Sequence, residues 1–337
     1  MTVSVKDVAA RAGVSIGTVS NVLNRPDRVS GATAERVRAA VAELGYVRND
    51  AARQLRAGHS LAVGLIVLDA SNPFFADLSL GAEGVADAAG LAVIVGNGAD
   101  SPARERAYLD LFEQQRLRGI LLTPFGDVDD RLRALRSRGI PTVLVDRHSD
   151  DRSFSSVSMD DVAGGALAAE HLLAGGRRRI AYAAGPRSIS QVEDRLTGAR
   201  SAVAVCPGAT LEVIELAALS LGEGQRAGAA LVARDPAGRP DAVFAANDLI
   251  AIGLLRTLIA GGVRVPEDIA LIGYDDIAFA EAAVVPLSSV RQPAAQIGTT
   301  GMSILLEEVA DPSLTARHVM FQPTLVPRRS TTGVQRA

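Results

Sequence analysis

The sequence has a single cysteine, Cys206, no tryptophan, and aromatic residues at only 4% of its 337 positions. One thiol cannot close an intramolecular disulfide, so the chain's stability does not call for an oxidising compartment, and Cys206 is expected to be buried and inert. The four histidines, His59, His148, His171 and His318, are scattered without metal-ligand spacing. No metal and no cofactor are expected. Near the N-terminus the longest apolar run, Leu61–Leu68, falls far short of a bilayer span, and Lys6 and Asp7 have no apolar core behind them. Neither a membrane span nor an export signal is expected, which points to a cytoplasmic protein. What the chain does have is apolar surface: 48% hydrophobic residues over this length imply two or three packed units.

A formal charge of -3 argues against a nucleic-acid partner until it is divided. Residues 1–60 carry nine basic side chains, Lys6 and eight arginines, against five acidic ones, which leaves -7 for the remainder. A basic head on an acidic body suits a protein in which one part meets phosphate and the rest stays away from it. Solvated helical segments also carry such an excess by chance, so charge alone does not decide.

The head reads as three short helices. Ser4 with Asp7 starts the first, Val5, Val8, Ala9 and Ala12 recur at helical spacing, and Gly13 stops it. Ser15 is an N-cap for a second, whose Val19, Val22 and Leu23 lie at i, i+3 and i+4. A third begins near Ser30, turns Val37, Ala40, Val41 and Leu44 inward, and ends at Gly45. Two short helices about a glycine-containing turn make a helix-turn-helix. With its valines buried, the second helix presents Ile16, Gly17 and Asn21 outward, with Ser15, Thr18 and Ser20 beside them. Small hydroxyls suit phosphates, Asn21 suits a base edge, and Ile16 suits a thymine methyl; Gly17 reads nothing. The alternative is an ordinary three-helix bundle whose exposed small residues carry no message.

Three segments, Val5-Lys-Asp-Val-Ala-Ala-Arg-Ala-Gly-Val-Ser15, Thr18-Val-Ser-Asn-Val-Leu-Asn24 and Leu44-Gly-Tyr-Val47, resemble the head of the lactose-repressor (LacI/GalR-type) family of bacterial transcription regulators. The resemblance brings Asn24 into the candidate DNA-reading set. It extends through Asn49-Asp-Ala-Ala-Arg-Gln-Leu-Arg-Ala-Gly58, which is similar to the family's hinge helix; that helix folds on specific DNA and wedges a leucine into the minor groove. Leu55 falls on the wedge position, and Arg56 can follow the phosphates or the groove floor. Asp50 can cap the segment and Gly58 can end it, but a helix this short is marginal alone. The alternative for Leu55 is a linker leucine packed on the body.

From Leu61 the pattern changes to alternating β and α units. Strands are expected at Leu61–Leu68, Leu91–Val95, Gly119–Leu122 and Pro141–Val145, with helices between them. The same grammar restarts after Asp161, with strands at Arg179–Ala183, Leu211–Glu215, Ala242–Ala245 and Ile269–Tyr274. The fold class is therefore an all-α helix-turn-helix head plus α/β, two doubly wound parallel-sheet lobes of periplasmic-binding-protein type. Ligands in such folds bind at the carboxyl ends of the strands, where Asp69 to Asn72, Asn97, Asp146 with Arg147, Asn247 with Asp248, and Tyr274 with Asp275 stand. Asp248 and Asp276 can equally serve as helix caps.

The family resemblance continues in Asn72-Pro-Phe-Phe75, Val145-Asp-Arg147, Met159-Asp-Asp161, Arg195-x-x-Gly198, Ala245-Ala-Asn-Asp-Leu249, Ile272-Gly-Tyr-Asp-Asp276 and Gln292-Pro293. It implies effector contacts at Asp146, Arg195, Asn247 and Asp275, to which Asn72, Phe74 and Arg147 are added as candidates. Carboxylate and guanidinium forks suit vicinal hydroxyls or a purine. Leu219 stands where relatives often place a stacking aromatic. The implied division is a DNA-binding head at 1–48, a hinge helix and linker at 49–59, and an effector-binding and dimerisation domain at 60–337. Its first lobe spans about 60–160 and 290–318, its second about 161–289 and 319–330. The implied partners are a pseudo-palindromic double-stranded operator, a small polar effector (sugar or nucleobase-like) and a second copy in a homodimer.

Two rival classes are weighed against this. An enzyme would need a nucleophile elbow, a zinc motif or a phosphate loop; none is present, and Gly222-x-Gly224 with Gly228 does not directly follow a strong strand. A solute-binding protein would have no use for the basic head. The expectation is a regulator without catalytic residues.

Overall fold

The computed structural model describes residues 3–46, 60–149, 151 and 153–332. Contacts divide the chain into two units, residues 1–59 and 60–337. In the first, α1 (Val5–Ala12), α2 (Ile16–Asn24) and α3 (Gly31–Leu44) form from the caps the sequence supplies. Asp7 Oδ2 accepts from the Ser4 amide at 2.8 Å, and Ser15 Oγ accepts from the Thr18 amide at 3.1 Å. Val8, Val19 and Val37, one from each helix, are fully buried together, with Ala9, Ala12, Val22, Ala34 and Ala40 around them. A core of small side chains brings the helices close and leaves the outer face of α2 free of structural duty.

The second unit contains two six-stranded sheets. The first is built from β1 (Ala62–Val67), β2 (Ala92–Asn97), β3 (Ile120–Leu122), β4 (Thr142–Val145), β5 (Ser156–Met159) and β11 (His318–Phe321), in the order β11-β5-β4-β3-β1-β2. The second uses β6 (Arg179–Ala184), β7 (Thr210–Glu215), β8 (Ala242–Ala245), β9 (Ala270–Asp275), β10 (Ser288–Arg291) and β12 (Thr324–Val326), in the order β12-β10-β9-β8-β6-β7. Every pairing is parallel except β10 with β12. Central strands such as β1, β4, β8 and β9 are buried along their whole length, which explains their unbroken apolar sequences. In both sheets the strand order reverses beside the first strand, so the two switch points, β1/β3 and β6/β8, are equivalent positions.

Four strands, β5, β10, β11 and β12, escape sequence reading because they are short and mixed in polarity, as in Ser156-Val-Ser-Met and Ser288-Ser-Val-Arg. They matter because the chain passes between lobes beside them: after Met159, between Arg291 and Ala294, and between Phe321 and Thr324. β11 keeps the chain in the first sheet through Phe321, so the last crossing lies beyond position 318. Cys206 is half-buried rather than buried, because it follows the end of the helix Ser190–Ala204 beside exposed Val205.

Candidate functional site

On α2 the side chains fall as helical spacing places them. Ser15, Ile16 at 44% exposure, Gly17 and Asn21 face outward, with Thr18 and Ser20 half-buried at the margin. The Ser15 and Thr18 hydroxyls lie 2.9 Å apart, so the same pair caps the helix and borders its open face. A Cβ on Gly17 would meet nothing of the head nearer than Ser15 Oγ at 3.6 Å. Packing within the head therefore does not explain the missing side chain. Leu55, Arg56 and the side chain of Asn24 lie outside the described residues.

In the body the polar groups at the strand ends of the two lobes meet. Asn72 caps the helix Pro73–Ala88, accepting from the Phe74 amide at 3.1 Å, and its Nδ2 donates across the lobes to Asp275 Oδ2 at 3.1 Å. Gln292 Nε2, on a crossing segment, donates to the other oxygen of Asp275 at 2.8 Å. Asp146 of the first lobe accepts from Gln191 Nε2, at 3.1 Å to its Oδ2 and also through its carbonyl. Its neighbour Arg147 donates to Ser190 Oγ at 2.5 Å. Ser190 and Gln191 form the first turn of the helix Ser190–Ala204, in the second lobe.

Arg195 sits on that same helix at 4% exposure. Its Nε donates to Asp161 at 2.7 Å, its Nη1 to the Ala246 carbonyl at 2.7 Å, and its guanidinium lies 3.6 Å from the centroid of the Tyr274 ring. Close helix packing makes this possible. A Cβ on Gly165 would strike the Arg195 carbonyl at 1.9 Å, and one on Gly198 would strike the Val162 carbonyl at 1.9 Å, so both helices need glycine for Asp161 and Arg195 to approach.

Asp146, Asp161 and Asp275 are thus buried around one guanidinium. Burial pushes the Asp146 carboxyl well above the usual carboxylate range, the nearby Asp161 charge adds to this, and Arg195 opposes it. Burial likewise raises Asp275, against Arg195 and the hydrogen bonds from Asn72 and Gln292. Burial works against the Arg195 cation, and Asp161 foremost among its neighbours more than compensates, keeping it charged. Asp146 Oδ1, Gln292 Oε1 and Thr123 Oγ1 are buried without a hydrogen-bond partner among the described residues. A cavity of about 370 Å³ opens beside the Asn72–Asp275 contact, with Phe74, Asp275, Arg291 and Gln292 in its wall.

The candidates differ in what they are free to do. Asn247, 1% exposed, accepts from the Ile250 amide at 3.0 Å and donates to the Leu219 carbonyl at 3.1 Å, so its amide is largely committed to the fold. Phe74, 2% exposed, packs edge-on against Phe75. Asn97 staples two loops, accepting from the Ala70 and Ala99 amides. Asp248 is wholly buried and serves the fold, accepting from the Ile277 amide and Ser289 Oγ. Sequence reasoning missed Gln191, Ser190 and Thr123. Asp161 and Gln292 stood inside recognised motifs but were not singled out, because only the fold shows which motif positions converge.

Residues 4–49 match the model of bacterial regulatory proteins of the lacI family, and residues 169–331 match a periplasmic binding protein-like domain. The chain is 35% identical to the ribose operon repressor of Bacillus subtilis, over 97% of this chain and 98% of that protein. It is 33% identical to the HTH-type transcriptional repressor PurR of Photobacterium profundum, over 97% and 98%. Among solved structures it resembles the lac repressor dimer bound to operator and the anti-inducer ONPF, at 28% identity, TM-score 0.81, and 98% and 99% coverage. A LacI family transcriptional regulator from Enterococcus faecalis V583 with bound ribose matches at 29% identity and TM-score 0.73, covering 81% of this chain and all of that one. Relatives this similar over nearly their whole length, together with a helix-turn-helix head and two binding-protein lobes, show that the chain belongs to the lacI family of bacterial regulatory proteins and is a DNA-binding transcription repressor with an effector-binding body.

Proposed function

We propose that the effector is a neutral, hydroxyl-rich molecule of pentose size, held between the lobes by Asp146, Gln191, Gln292 and Asp275. The observation that carries this is the imbalance of the site: among the described residues three buried carboxylates face a single buried guanidinium, which Asp161 already engages. A phosphate or carboxylate would add negative charge to a buried site already rich in it, whereas hydroxyl donors satisfy the free acceptor oxygens of Asp146 and Gln292. The ribose bound to the Enterococcus relative and the ribose operon of the Bacillus relative agree with this class. A purine is the second reading, because carboxylate and guanidinium forks also suit its ring nitrogens. It finds no stacking aromatic at Leu219, and Phe74 is spent on packing.

In this reading residues 1–48 contact DNA through Ser15, Ile16, Gly17, Thr18, Ser20, Asn21 and Asn24, residues 49–59 form the hinge with Leu55 and Arg56 at the minor groove, and the body senses the effector. Two copies of the chain place two heads on a two-fold symmetric operator, in keeping with the dimeric lac repressor.

The test is thermal shift with D-ribose, hypoxanthine and D-ribose 5-phosphate. A ligand at 100 times its Kd stabilises the folded state by about 2.7 kcal/mol. D-ribose is expected to raise the melting temperature and D-ribose 5-phosphate to leave it unchanged; stabilisation by the phosphate ester or by hypoxanthine alone would overturn the assignment. Asp275→Asn keeps the shape of the site and is expected to weaken ribose binding by about 1.5–3 kcal/mol, the worth of a hydrogen bond to a charged group. Arg195→Ala is the poorer probe: it strands buried Asp161 at a cost to stability of about 3–5 kcal/mol.

A further inference from the structure

Asp275 and Asp276 follow one another at φ 102° and 57°, a region that side-chain-bearing residues rarely occupy. Such a turn persists only where its surroundings hold it, and here the holding groups are specific. The Asp276 amide donates to Ser289 Oγ at 3.1 Å, and the same hydroxyl donates to Asp248 Oδ1 at 2.8 Å. Asp248 Oδ2 accepts from the Ile277 amide at 2.9 Å. This fit needs Gly273, since a Cβ there would lie 2.0 Å from Asp248 Oδ1. The Asp276 carboxylate, 4% exposed, accepts from Arg291 Nε at 2.7 Å and from Arg328 Nη1 at 2.6 Å. Arg328 Nη1 also donates to the Leu287 carbonyl at 2.8 Å.

Arg291 stands at a crossing between the lobes, and Arg328 lies in the second lobe beyond β12. Arg291 ends β10, immediately before Gln292-Pro293 carries the chain back to the first lobe. Arg328 lies just past β12, after the chain has returned to the second. One loop therefore presents Asp275 to Asn72 of the first lobe and, one residue later, fastens Asp276 to the start of one inter-lobe crossing, at Arg291, and to the second-lobe segment after β12, at Arg328.

We propose that Asp276, clamped by Arg291 and Arg328, is a positioning residue for the effector response: it sets the Asp275 carboxylate against the first lobe and ties the occupancy of that carboxylate to the inter-lobe crossing that begins at Arg291. Asp276 makes no contact with the effector in this scheme; it acts through Asp275. The proposal rests on the cleft being the effector site but not on the effector being a pentose.

The test compares full-length wild type, Asp276→Asn, and Arg264→Gln, which breaks an exposed Arg264–Asp268 pair of the same lobe and serves as the control. Asparagine tolerates the left-handed backbone but loses the charge that holds both guanidinium groups. Amide hydrogen exchange is read in the segments 275–277 and 72–75, and D-ribose affinity by calorimetry. The expected result is faster exchange in both segments of Asp276→Asn, no change in the control, and D-ribose binding weakened by about tenfold, as the loss of a charge-assisted bond at the site implies. Faster exchange at 275–277 with 72–75 unchanged would confine Asp276 to the second lobe and overturn the proposal, as would unchanged exchange in both. Unaltered ribose affinity in a variant with altered exchange would also overturn it. A wild type that ignores D-ribose would refute the pentose reading instead, and the exchange at 72–75 then decides the clamp by itself.

Discussion

Asp100 is a half-buried carboxylate at φ 51° whose Oδ1 finds no hydrogen-bond partner among the described residues. Burial, reinforced by the charge of Asp69, pushes its carboxyl up to about 6 from the usual 3.8. The folded protein therefore holds a proton that the unfolded chain releases as pH rises above about 4, so stability falls between about pH 4 and 6 and stays lower above that window. At full burial the gap corresponds to roughly 3 kcal/mol, and partial exposure reduces it to about 1–2 kcal/mol. Asp100→Asn, which keeps a side chain suited to this backbone, is expected to raise the melting temperature at pH 7.5 and to match the wild type near pH 3.5. Equal melting curves at pH 7.5 would show that Asp100 keeps its proton no more tightly folded than unfolded. At Gly17 a substitution stabilises as well. Alanine fits the open space beside Ser15 Oγ and favours the helix by about 0.5–1 kcal/mol, so Gly17→Ala is expected to stabilise the head. Operator affinity that falls in this more stable variant would assign the glycine to close approach by DNA; affinity that holds would leave Gly17 as a neutral surface position.

At the scale of elements, the segment 49–59, proposed as the hinge, gives the sharpest prediction. Leu55→Ala is expected to weaken specific operator binding by about 1–3 kcal/mol while sparing nonspecific binding, because an apolar wedge acts only where a base step is unstacked. A gel-shift titration on operator and on random DNA reads both, and unchanged specific affinity would remove the minor-groove role. Legibility in the sequence followed the strength of local signals. Capped helices such as α1 and α2, and buried strands such as β1 and β9, carry period and punctuation that survive without tertiary context. The strands β5, β10, β11 and β12 do not, since their register comes from neighbours distant in sequence, as when His318 pairs with Ser156. The site divides along the same line. Asp146 and Asp275 were readable as polar residues at the ends of apolar strands, whereas Gln191 and Ser190 open a helix and reach the cleft only because the lobes face each other. Asn247, legible as a strand-end amide, is spent on capping and on the Leu219 carbonyl, an outcome that no spacing rule announces.

At the scale of the molecule, reading and sensing are separated along the chain. The positive excess lies in residues 1–60, while the body holds a buried cluster of carboxylates. A ligand in the body alters DNA binding only if it favours one arrangement of the lobes over another, and the Asn72–Asp275, Gln191–Asp146 and Arg147–Ser190 contacts are the inter-lobe bonds it would exchange for its own. The most direct test is the affinity of the full-length chain for an operator selected from random-sequence DNA, measured with and without saturating D-ribose. The predicted result is a change of about tenfold or more, equal to a coupling of about 1.4 kcal/mol. Ribose that saturates the body while operator affinity stays the same would contradict the account.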